Sequence, residues 1–270
     1  MSLQGHPAET IPIIARSLEE RVVPLTNRTS LERLVPDELL IDEATGRQTL
    51  ALHLERYAFA AQKLHRASSI LDIACGVGYG SRLLKQSLPA AMVIGVDSSA
   101  EAIDYANARY ARAGLSFVVA DAMTFEGGPF DAVVSLETIE HLPDPEQFVG
   151  RSADKLLRPG GIFIGSVPVT PSMDANPHHL HDFTASSFSK LLSAHGLTEF
   201  DRLQQVQPYS PLAVITRSER RMLSMRPNLL SYYRRNPDKA LLRLKSLVVD
   251  GFNNKYLTIA ARSAVLARGP

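Results

Sequence analysis

Cysteine is almost absent from this sequence, and so are long apolar runs and any strong excess of charge. The single cysteine, Cys75, allows no intramolecular disulfide, which fits a reducing compartment. The longest apolar stretches fall far short of the roughly 20 residues that span a bilayer. The first twenty residues lack a basic head followed by an apolar run, so we expect no secretory signal. Together these absences predict a soluble cytoplasmic protein.

The charge balance also excludes some partners. A net charge of +1 predicts no strong attraction of the whole chain to nucleic acid or to a membrane. The sequence contains no recognised RNA-binding module, which further disfavours nucleic acid. With 270 residues, 45% of them hydrophobic, the chain is long enough for an α/β domain with elaborations.

Short apolar runs alternate with amphipathic segments along most of the chain. We interpret the runs as strands at 69–74, 91–97, 115–121, 130–137, 162–168, 197–207 and 254–265. Strands alternating with helices are typical of βαβ units, and near-continuous apolar strands are typical of a sheet covered on both faces. The prediction is a doubly wound, mostly parallel α/β sheet of seven strands. It comprises an N-terminal helical arm (1–45), one domain (46–270) and a helical insert (208–252) before the last strand.

A glycine-rich turn follows the first of these strands in "ILDIACGVGYG" (70–80). A triphosphate-binding loop would end in Gly-Lys-Ser/Thr, but this loop ends in Gly80-Ser81-Arg82. A dinucleotide-binding loop has the spacing G-x-G-x-x-G, whereas the spacing here is G-x-G-x-G. Asp72, four residues before the first glycine, would repel a pyrophosphate and would suit a cation such as an ammonium group.

Two further carboxylates follow the next two strands. Asp97 ends the second strand, where a carboxylate can accept hydrogen bonds from ribose hydroxyls; this role is common to NAD and S-adenosylmethionine (SAM) sites. Asp121 ends the third strand and can accept an adenine amino group, with the backbone at Ala122 or Met123 reading the ring edge.

Five motifs in order resemble those of class I SAM-dependent methyltransferases. They are "ILDIACGVGYG", "VIGVDSS", "FVVADA", "FDAVVSLETIEHLPDP" and "LRPGGIFIGSVP". The resemblance covers about 45–205 and the last strand, and it implies that the cofactor is SAM and the product S-adenosylhomocysteine (SAH). It implies a cofactor-binding set of Asp72, Ala74, Gly76, Gly78, Asp97, Ser98, Asp121, Ala122, Met123, Leu136 and Glu137.

Histidines at the same sheet edge are candidates for catalysis. Methyl transfer to a hydroxyl needs a base near neutral pH, and histidine suits that role. His141 follows the fourth strand and is the first candidate, although it could instead order the loop. His179 and His181 follow the fifth strand and form a second candidate cluster, although an exposed polar loop would also account for them.

A divalent metal is an alternative use of the same residues. "ETIEH" (137–141) resembles the E-x-x-E-H of small-RNA 2′-O-methyltransferases and some ubiquinone-pathway O-methyltransferases. That resemblance implies a metal shell of Glu137, Glu140, His141 and His179. Relatives that bind no metal carry a similar motif, in which the second glutamate is structural.

The insert carries nine basic and three acidic residues within 208–250. This excess suggests an acidic acceptor, such as a nucleotide sugar or a carboxylate, or else a solvated helical face. The amphipathic stretch 217–235 would also suit an anionic membrane surface or a partner subunit. The arm is expected to cover the chain's own site or that of a second copy in a homodimer.

The leading hypothesis is O-methylation of a small or sugar-containing, acidic acceptor. The segment "NPHHLHDFT" (176–184) resembles one found in bacterial methyltransferases of sugar and natural-product pathways. An N-methyltransferase is the alternative within the same class. A non-catalytic SAM-binding subunit and an NAD-dependent oxidoreductase represent two further classes, and the glycine spacing disfavours the latter.

Overall fold

The computed structural model of the chain describes residues 36, 44–218, 222–223 and 225–264. Almost all of the predicted N-terminal arm therefore lies outside the described residues. The helices are α1 (Ala44–Lys63), α2 (Tyr79–Ser87), α3 (Ala100–Tyr110), α4 (Pro145–Arg151), α5 (Ala185–Ala194), α6 (Pro211–Thr216), α7 (Leu229–Arg235) and α8 (Pro237–Asp250). The strands are β1 (Ser69–Ile73), β2 (Met92–Asp97), β3 (Leu115–Val119), β4 (Phe130–Leu136), β5 (Leu157–Pro168), β6 (Leu197–Pro208) and β7 (Asn253–Ser263).

The seven strands form one sheet in the order β3-β2-β1-β4-β5-β7-β6. The first five are parallel, and β7 runs antiparallel between β5 and β6. The predicted mostly parallel, seven-stranded α/β sheet is confirmed. Because β1 and β4 are neighbours while β2 and β3 lie to one side, the chain reverses its direction of winding at the β1/β4 boundary. In open α/β sheets such a switch point, at the carboxyl ends of the strands, is where ligands bind.

The core lies on both faces of the sheet. One cluster joins β1, β2 and β4 to α1, α2 and α3, and it includes Leu64, Leu84 and Ala106. The other joins the opposite face to α4 and α5, and it includes Phe148 and Phe188. Side chains on both faces explain why the strands read as continuous apolar runs rather than as an alternation.

Two element boundaries differ from the sequence prediction. The sequence over 144–161 predicts a helix followed by a Pro-Gly-Gly turn. The structure instead ends α4 at Arg151 and continues with a single π-helical turn, Ser152–Leu156. Strand β5 then begins at Leu157, five residues before the predicted start, and pairs with Phe130 before a register shift. Tertiary pairing with β4 therefore extends the strand through a Pro-Gly-Gly sequence that local propensity assigns to a turn.

The insert between β6 and β7 is helical, as predicted, and contains α6, α7 and α8. Its helices lie beside the loop between β5 and α5, at the carboxyl edge of the sheet. Within the part of the chain that the structure describes, every helix is too short or too polar to cross a bilayer.

Candidate functional site

The glycine loop turns tightly between β1 and α2. Ala74, Gly76 and Gly78 all have positive φ, at 59°, 57° and 82°. A Cβ on Gly78 would lie 2.6 Å from the ring of Phe117, so packing requires a glycine there. A Cβ on Gly76 would meet nothing within 4 Å, because that side of the loop faces an open cavity. The loop thus presents bare backbone to the cavity at Gly76.

Asp97 fixes this loop from the end of β2. Its Oδ2 accepts a hydrogen bond of 2.9 Å from the Gly76 amide, and its Oδ1 accepts one of 2.9 Å from the Ser99 amide. Asp97 and the exposed Ser98 both line the cavity. A carboxylate offers about four acceptor positions, so Asp97 can still accept hydrogen bonds from a ligand's hydroxyl groups.

Asp121 follows β3, the strand next to β2. Its Oδ1 accepts a hydrogen bond of 2.7 Å from the Met123 amide, which holds the turn after the strand. Asp121 and Ala122 line the cavity, whereas the Met123 side chain packs against the core. Of the three residues predicted to contact adenine, two therefore line the cavity, and Met123 contributes its backbone amide to the turn.

Asp72 is buried beneath the loop and is 1% exposed. Its carboxylate accepts hydrogen bonds from the Ser81 hydroxyl at 2.6 Å and from the Tyr57 hydroxyl at 3.3 Å. Burial raises the pKa of Asp72 to about 7, although both hydrogen bonds oppose the rise. Unlike Asp97 and Asp121, Asp72 is not among the side chains that line the cavity.

Cys75 lies inside the loop and is 4% exposed. Burial, followed by the nearby Asp72 and Asp97 carboxylates, raises the pKa of its thiol well above the ordinary value. A thiol in that state is a poor nucleophile.

Leu136 and Glu137 line the cavity after β4. Glu137 has a φ of 51°, and its Oε1 accepts a hydrogen bond of 2.8 Å from Ser166. The same oxygen lies 3.5 Å from the guanidinium of Arg56, which is 1% exposed. Arg56 also donates to Gln205 at 2.7 Å, so it ties α1, β6 and Glu137 together.

Two of the three candidate histidines meet in the cavity. The rings of His141 and His179 are edge to face, with centroids 4.6 Å apart. Nδ1 of His141 lies 3.2 Å from the backbone oxygen of His178, and Nδ1 of His179 lies 2.7 Å from the Ser172 hydroxyl. Burial, reinforced by His141, lowers the pKa of His179 to about 3, which keeps His179 neutral at physiological pH.

His181 lies elsewhere. Its Nε2 is 3.0 Å from the backbone oxygen of Leu142, and its side chain is not among those lining the cavity. Its amide donates to the Glu140 backbone oxygen at 3.2 Å. This geometry joins the loop after β5 to the loop after β4.

Three of the four candidate metal ligands come together. Glu140, His141 and His179 each offer a ligand atom, and these atoms lie within 4.8 Å of one another. Glu140 is fully buried. The fourth candidate, Glu137, lies outside this group and engages Ser166 and Arg56 instead.

The cavity has a volume of about 900 Å³ and runs from Asp121 to the insert. The insert is attached to the β5–α5 loop by ionic hydrogen bonds. Nε of Arg243 donates to Asp174 Oδ2 at 2.7 Å, and a second bond of 2.5 Å joins its Nη2 to Oδ1. Tyr233 donates to the same carboxylate at 2.5 Å, and Lys239 donates to Asp182 at 3.0 Å.

Sequence reasoning missed the contribution of α1 to the site. Thr49, His53 and Tyr57 line the cavity from this helix, and His53 lies 2.9 Å from the Tyr79 hydroxyl. These residues are spaced four apart, which places them on one face of the helix, and this spacing could have indicated a shared surface. Sequence reasoning also missed Asp174, because nothing local distinguishes its side chain from a solvated loop carboxylate.

Comparison with known proteins identifies a family for the part of the chain that forms this site. Residues 71–165 match the family model described as "Methyltransferase domain". The chain contains a class I SAM-dependent methyltransferase domain.

Curated relatives agree with that assignment, and a solved structure shares the fold. A Mycolicibacterium smegmatis protein named "Probable S-adenosylmethionine-dependent methyltransferase" is 32% identical over 174 residues, covering 59% of this chain and 66% of that protein. The ubiquinone biosynthesis O-methyltransferase of Caulobacter vibrioides is 38% identical over 108 residues, covering 38% and 42%. The chain thus spans less than two thirds of the length of these relatives. The N-methyltransferase NodS of Bradyrhizobium japonicum, solved with SAH, has a TM-score of 0.51 at 16% identity, covering 83% and 90%.

The residues of this methyltransferase domain fit SAM. The bare backbone at Gly76 leaves room for a close approach, which a side chain at that position would fill. Asp97 and Asp121 supply acceptors on two adjacent strands, as a ribose and an adenine require. The assignment of individual residues to parts of the cofactor stays a prediction.

Proposed function

We propose that this chain methylates a hydroxyl group of a small acceptor, with SAM as the methyl donor. The observation that carries the proposal is the pair His141 and His179, which faces the same cavity as Gly76, Asp97 and Asp121. A base is useful for a hydroxyl acceptor, which must lose a proton as it reacts.

The tautomer of His141 supports its role as that base. A backbone oxygen only accepts, so the contact with His178 requires the proton to be on Nδ1. Neutral His141 then has an unprotonated Nε2, which can accept the proton of the acceptor hydroxyl. Glu140 Oε1 lies 3.9 Å from that nitrogen and would stabilise the imidazolium that forms.

The remaining contribution of the protein is alignment. When bound, SAM supplies a methyl group on a positively charged sulfur, and loss of that methyl leaves neutral SAH. His141 would accept the proton of the acceptor hydroxyl as that oxygen is methylated. Holding the two reactants in line can lower the activation barrier by roughly 7–11 kcal/mol. The glycine loop, the strand ends and the insert would supply that alignment.

His141→Ala tests the base. We expect turnover to fall by about 100-fold or more while SAH binds as tightly as to the parent, because the lost group acts on the acceptor. Calorimetry with SAH and a methyl-transfer assay measure the two quantities. Unchanged turnover would dismiss His141, and His178→Ala, an exposed side chain of the adjoining loop, serves as the control.

A second candidate chemistry is metal-assisted methylation through Glu140, His141 and His179, whose ligand atoms cluster. Metal analysis of the purified protein, with turnover measured before and after chelation, separates the two. A metal-free protein whose turnover resists chelator supports the base.

N-methylation and cofactor binding without catalysis compete with this proposal. The fold is equally that of NodS, an N-methyltransferase. Mass-spectrometric identification of the methylated atom distinguishes oxygen from nitrogen. Calorimetry with SAH and NAD tests the cofactor itself, and binding of NAD without SAH would overturn the proposal.

Further expectations about partners and location stay predictions. These are the cytoplasmic location, the homodimer, contact with a membrane surface and a sugar-containing acceptor. The division of the chain into an arm (1–45) and one domain (46–270) is likewise a proposal.

A further inference from the structure

Acidic side chains dominate the charged lining of the cavity. Among the described residues that line it, five carry a carboxylate and one a guanidinium: Asp97, Asp121, Glu137, Glu140, Asp174 and Arg243. Glu137 lies beside Arg56 and Asp174 is paired with Arg243, so these arginines offset two of the five carboxylates. Low-dielectric walls focus the field of such a set and disfavour an anion. Bound SAM, with one net positive charge, offsets only part of it.

The positive charge of Arg243 is already matched. Arg243 makes two hydrogen bonds to the Asp174 carboxylate and a third, of 2.6 Å, to the backbone oxygen of Pro171. Lys239 is bonded to Asp182 and is not among the lining residues. These two cations of the insert therefore attach it to the β5–α5 loop, and Arg243, the one Lys or Arg among the described lining residues, is already paired with a carboxylate.

Apolar side chains of the insert line the same cavity as His141 and His179. They are Val214, Ile215, Met222, Met225, Leu229 and Leu247. The uncharged groups of Asn176, Gln207 and Tyr256 line the same cavity and can orient a polar substituent. Apolar walls with a few placed polar groups are typical of sites for small uncharged ligands.

We propose that the acceptor enters uncharged, with an apolar aromatic or lipid-like frame packed against the insert and its hydroxyl near His141. This rests on the proposed methyl transfer and narrows its acceptor. It replaces the acidic or nucleotide-linked acceptor that the charge of the insert suggested from sequence.

Matched probes test the charge of the acceptor. The SAH-loaded full chain is titrated by calorimetry with 4-hexylphenol, with 6-(4-hydroxyphenyl)hexanoate, which carries a carboxylate on the same frame, and with uridine diphosphate. We expect 4-hexylphenol to bind at least about tenfold more tightly than either anion, because a like charge in a desolvated site is costly. Equal or tighter binding of an anion, or no binding of 4-hexylphenol, overturns the proposal.

Neighbouring residues of α8 provide matched variants. Leu247 lines the cavity, and Val248 is 80% exposed on the outer face of the same helix. Leu247→Glu should weaken the binding of 4-hexylphenol by about tenfold. Leu247→Lys should instead strengthen the binding of the carboxylate probe by about tenfold. Val248→Glu should change neither by more than about twofold, and equal effects at the two positions would contradict the assignment.

The outcomes distinguish this inference from the proposed function. SAH binding to the parent and to all three variants confirms that the cofactor site is intact. If SAH binds and the anions are preferred, only the acceptor class is wrong. If SAH does not bind the parent, the proposed methyl transfer itself fails.

Discussion

At the scale of the residue, two carboxylates of similar sequence context have different environments. Asp97 is partly exposed and accepts hydrogen bonds from two backbone amides, whereas Asp72 is buried and accepts them from two hydroxyls. Asp72 is the last residue but one of β1, and Asp97 is the last residue of β2, so both lie at the carboxyl end of an apolar strand. Asp97 therefore can contact a ligand, while Asp72 supports the loop from below.

Replacing Asp97 should directly weaken binding of the cofactor. Each hydrogen bond from a ribose hydroxyl to a carboxylate is worth about 1.5–3 kcal/mol, so Asp97→Ala should lower SAH affinity by roughly 100-fold. Calorimetry measures the affinity and circular dichroism the fold. Asp104→Ala removes an equally charged, exposed side chain from α3 and should leave affinity unchanged. SAH binding of parental strength in Asp97→Ala would contradict the ribose assignment.

The buried Asp72 should make stability depend on pH. Its pKa is 3.8 as an ordinary carboxyl and about 7 in the fold, so the native state binds the proton more tightly. Its contribution is therefore complete below pH 3.8 and is lost as the pH rises towards 7, by at most about 1.4 kcal/mol per pH unit. Urea unfolding of the parent and Asp72→Asn at pH 5 and pH 8 measures the difference. We expect the variant to gain on the parent as pH rises, and parallel pH profiles would refute this.

At the scale of the element, glycines of the same loop meet two different requirements: open space beside the cavity and close packing against a helix. The sequence does not show which glycine meets which requirement. Gly76 leaves open space above the backbone, whereas Gly80 is packed against Tyr57 of α1. The alternate spacing of the glycines is consistent with both roles. Only the position of α1 over the loop shows which glycine serves the cavity and which serves packing.

Gly80→Ala and Gly76→Ala should differ in what they disrupt, the first packing and the second SAH binding. A Cβ on Gly80 would lie 1.8 Å from Tyr57 Cζ, so Gly80→Ala should cost about 1–3 kcal/mol of stability by overpacking. Gly76→Ala should cost only about 1–2 kcal/mol from its positive φ, and it should abolish SAH binding by filling the cavity. Thermal unfolding and calorimetry measure both. SAH binding to Gly76→Ala at parental strength would place the cofactor elsewhere.

At the scale of the whole molecule, one buried ion pair connects the insert to the sheet. Arg243 on α8 meets Asp174 on the β5–α5 loop, and Asp174 is 3% exposed. Burial alone would raise the pKa of Asp174, but the Arg243 hydrogen bonds and charge hold it below the ordinary value. The wall of the cavity formed by the insert therefore depends on a contact between segments 69 residues apart.

Breaking this pair should loosen the insert without unfolding the sheet. Removing one partner of a buried pair costs about 3–5 kcal/mol, so Arg243→Met should increase amide hydrogen exchange in α7 and α8. Exchange in β1 and β4 should stay as in the parent. Lys245→Met, an exposed change on the same helix, is the control, and Arg243→Met with Asp174→Asn should recover part of the protection. Unchanged exchange in Arg243→Met would show that different contacts hold the insert.

The sequence by itself determined the strands, their alternation with helices and the carboxylates at the strand ends. These follow from local period and from turn residues, which depend on neighbours a few positions away. It could not place His181, whose side chain leaves the cavity to contact Leu142, nor could it assign partners to Arg243 and Lys239. Those outcomes are contacts between distant segments, which depend on how the elements pack. Only the tertiary structure shows that two of the basic side chains of the insert, Arg243 and Lys239, attach it to the β5–α5 loop.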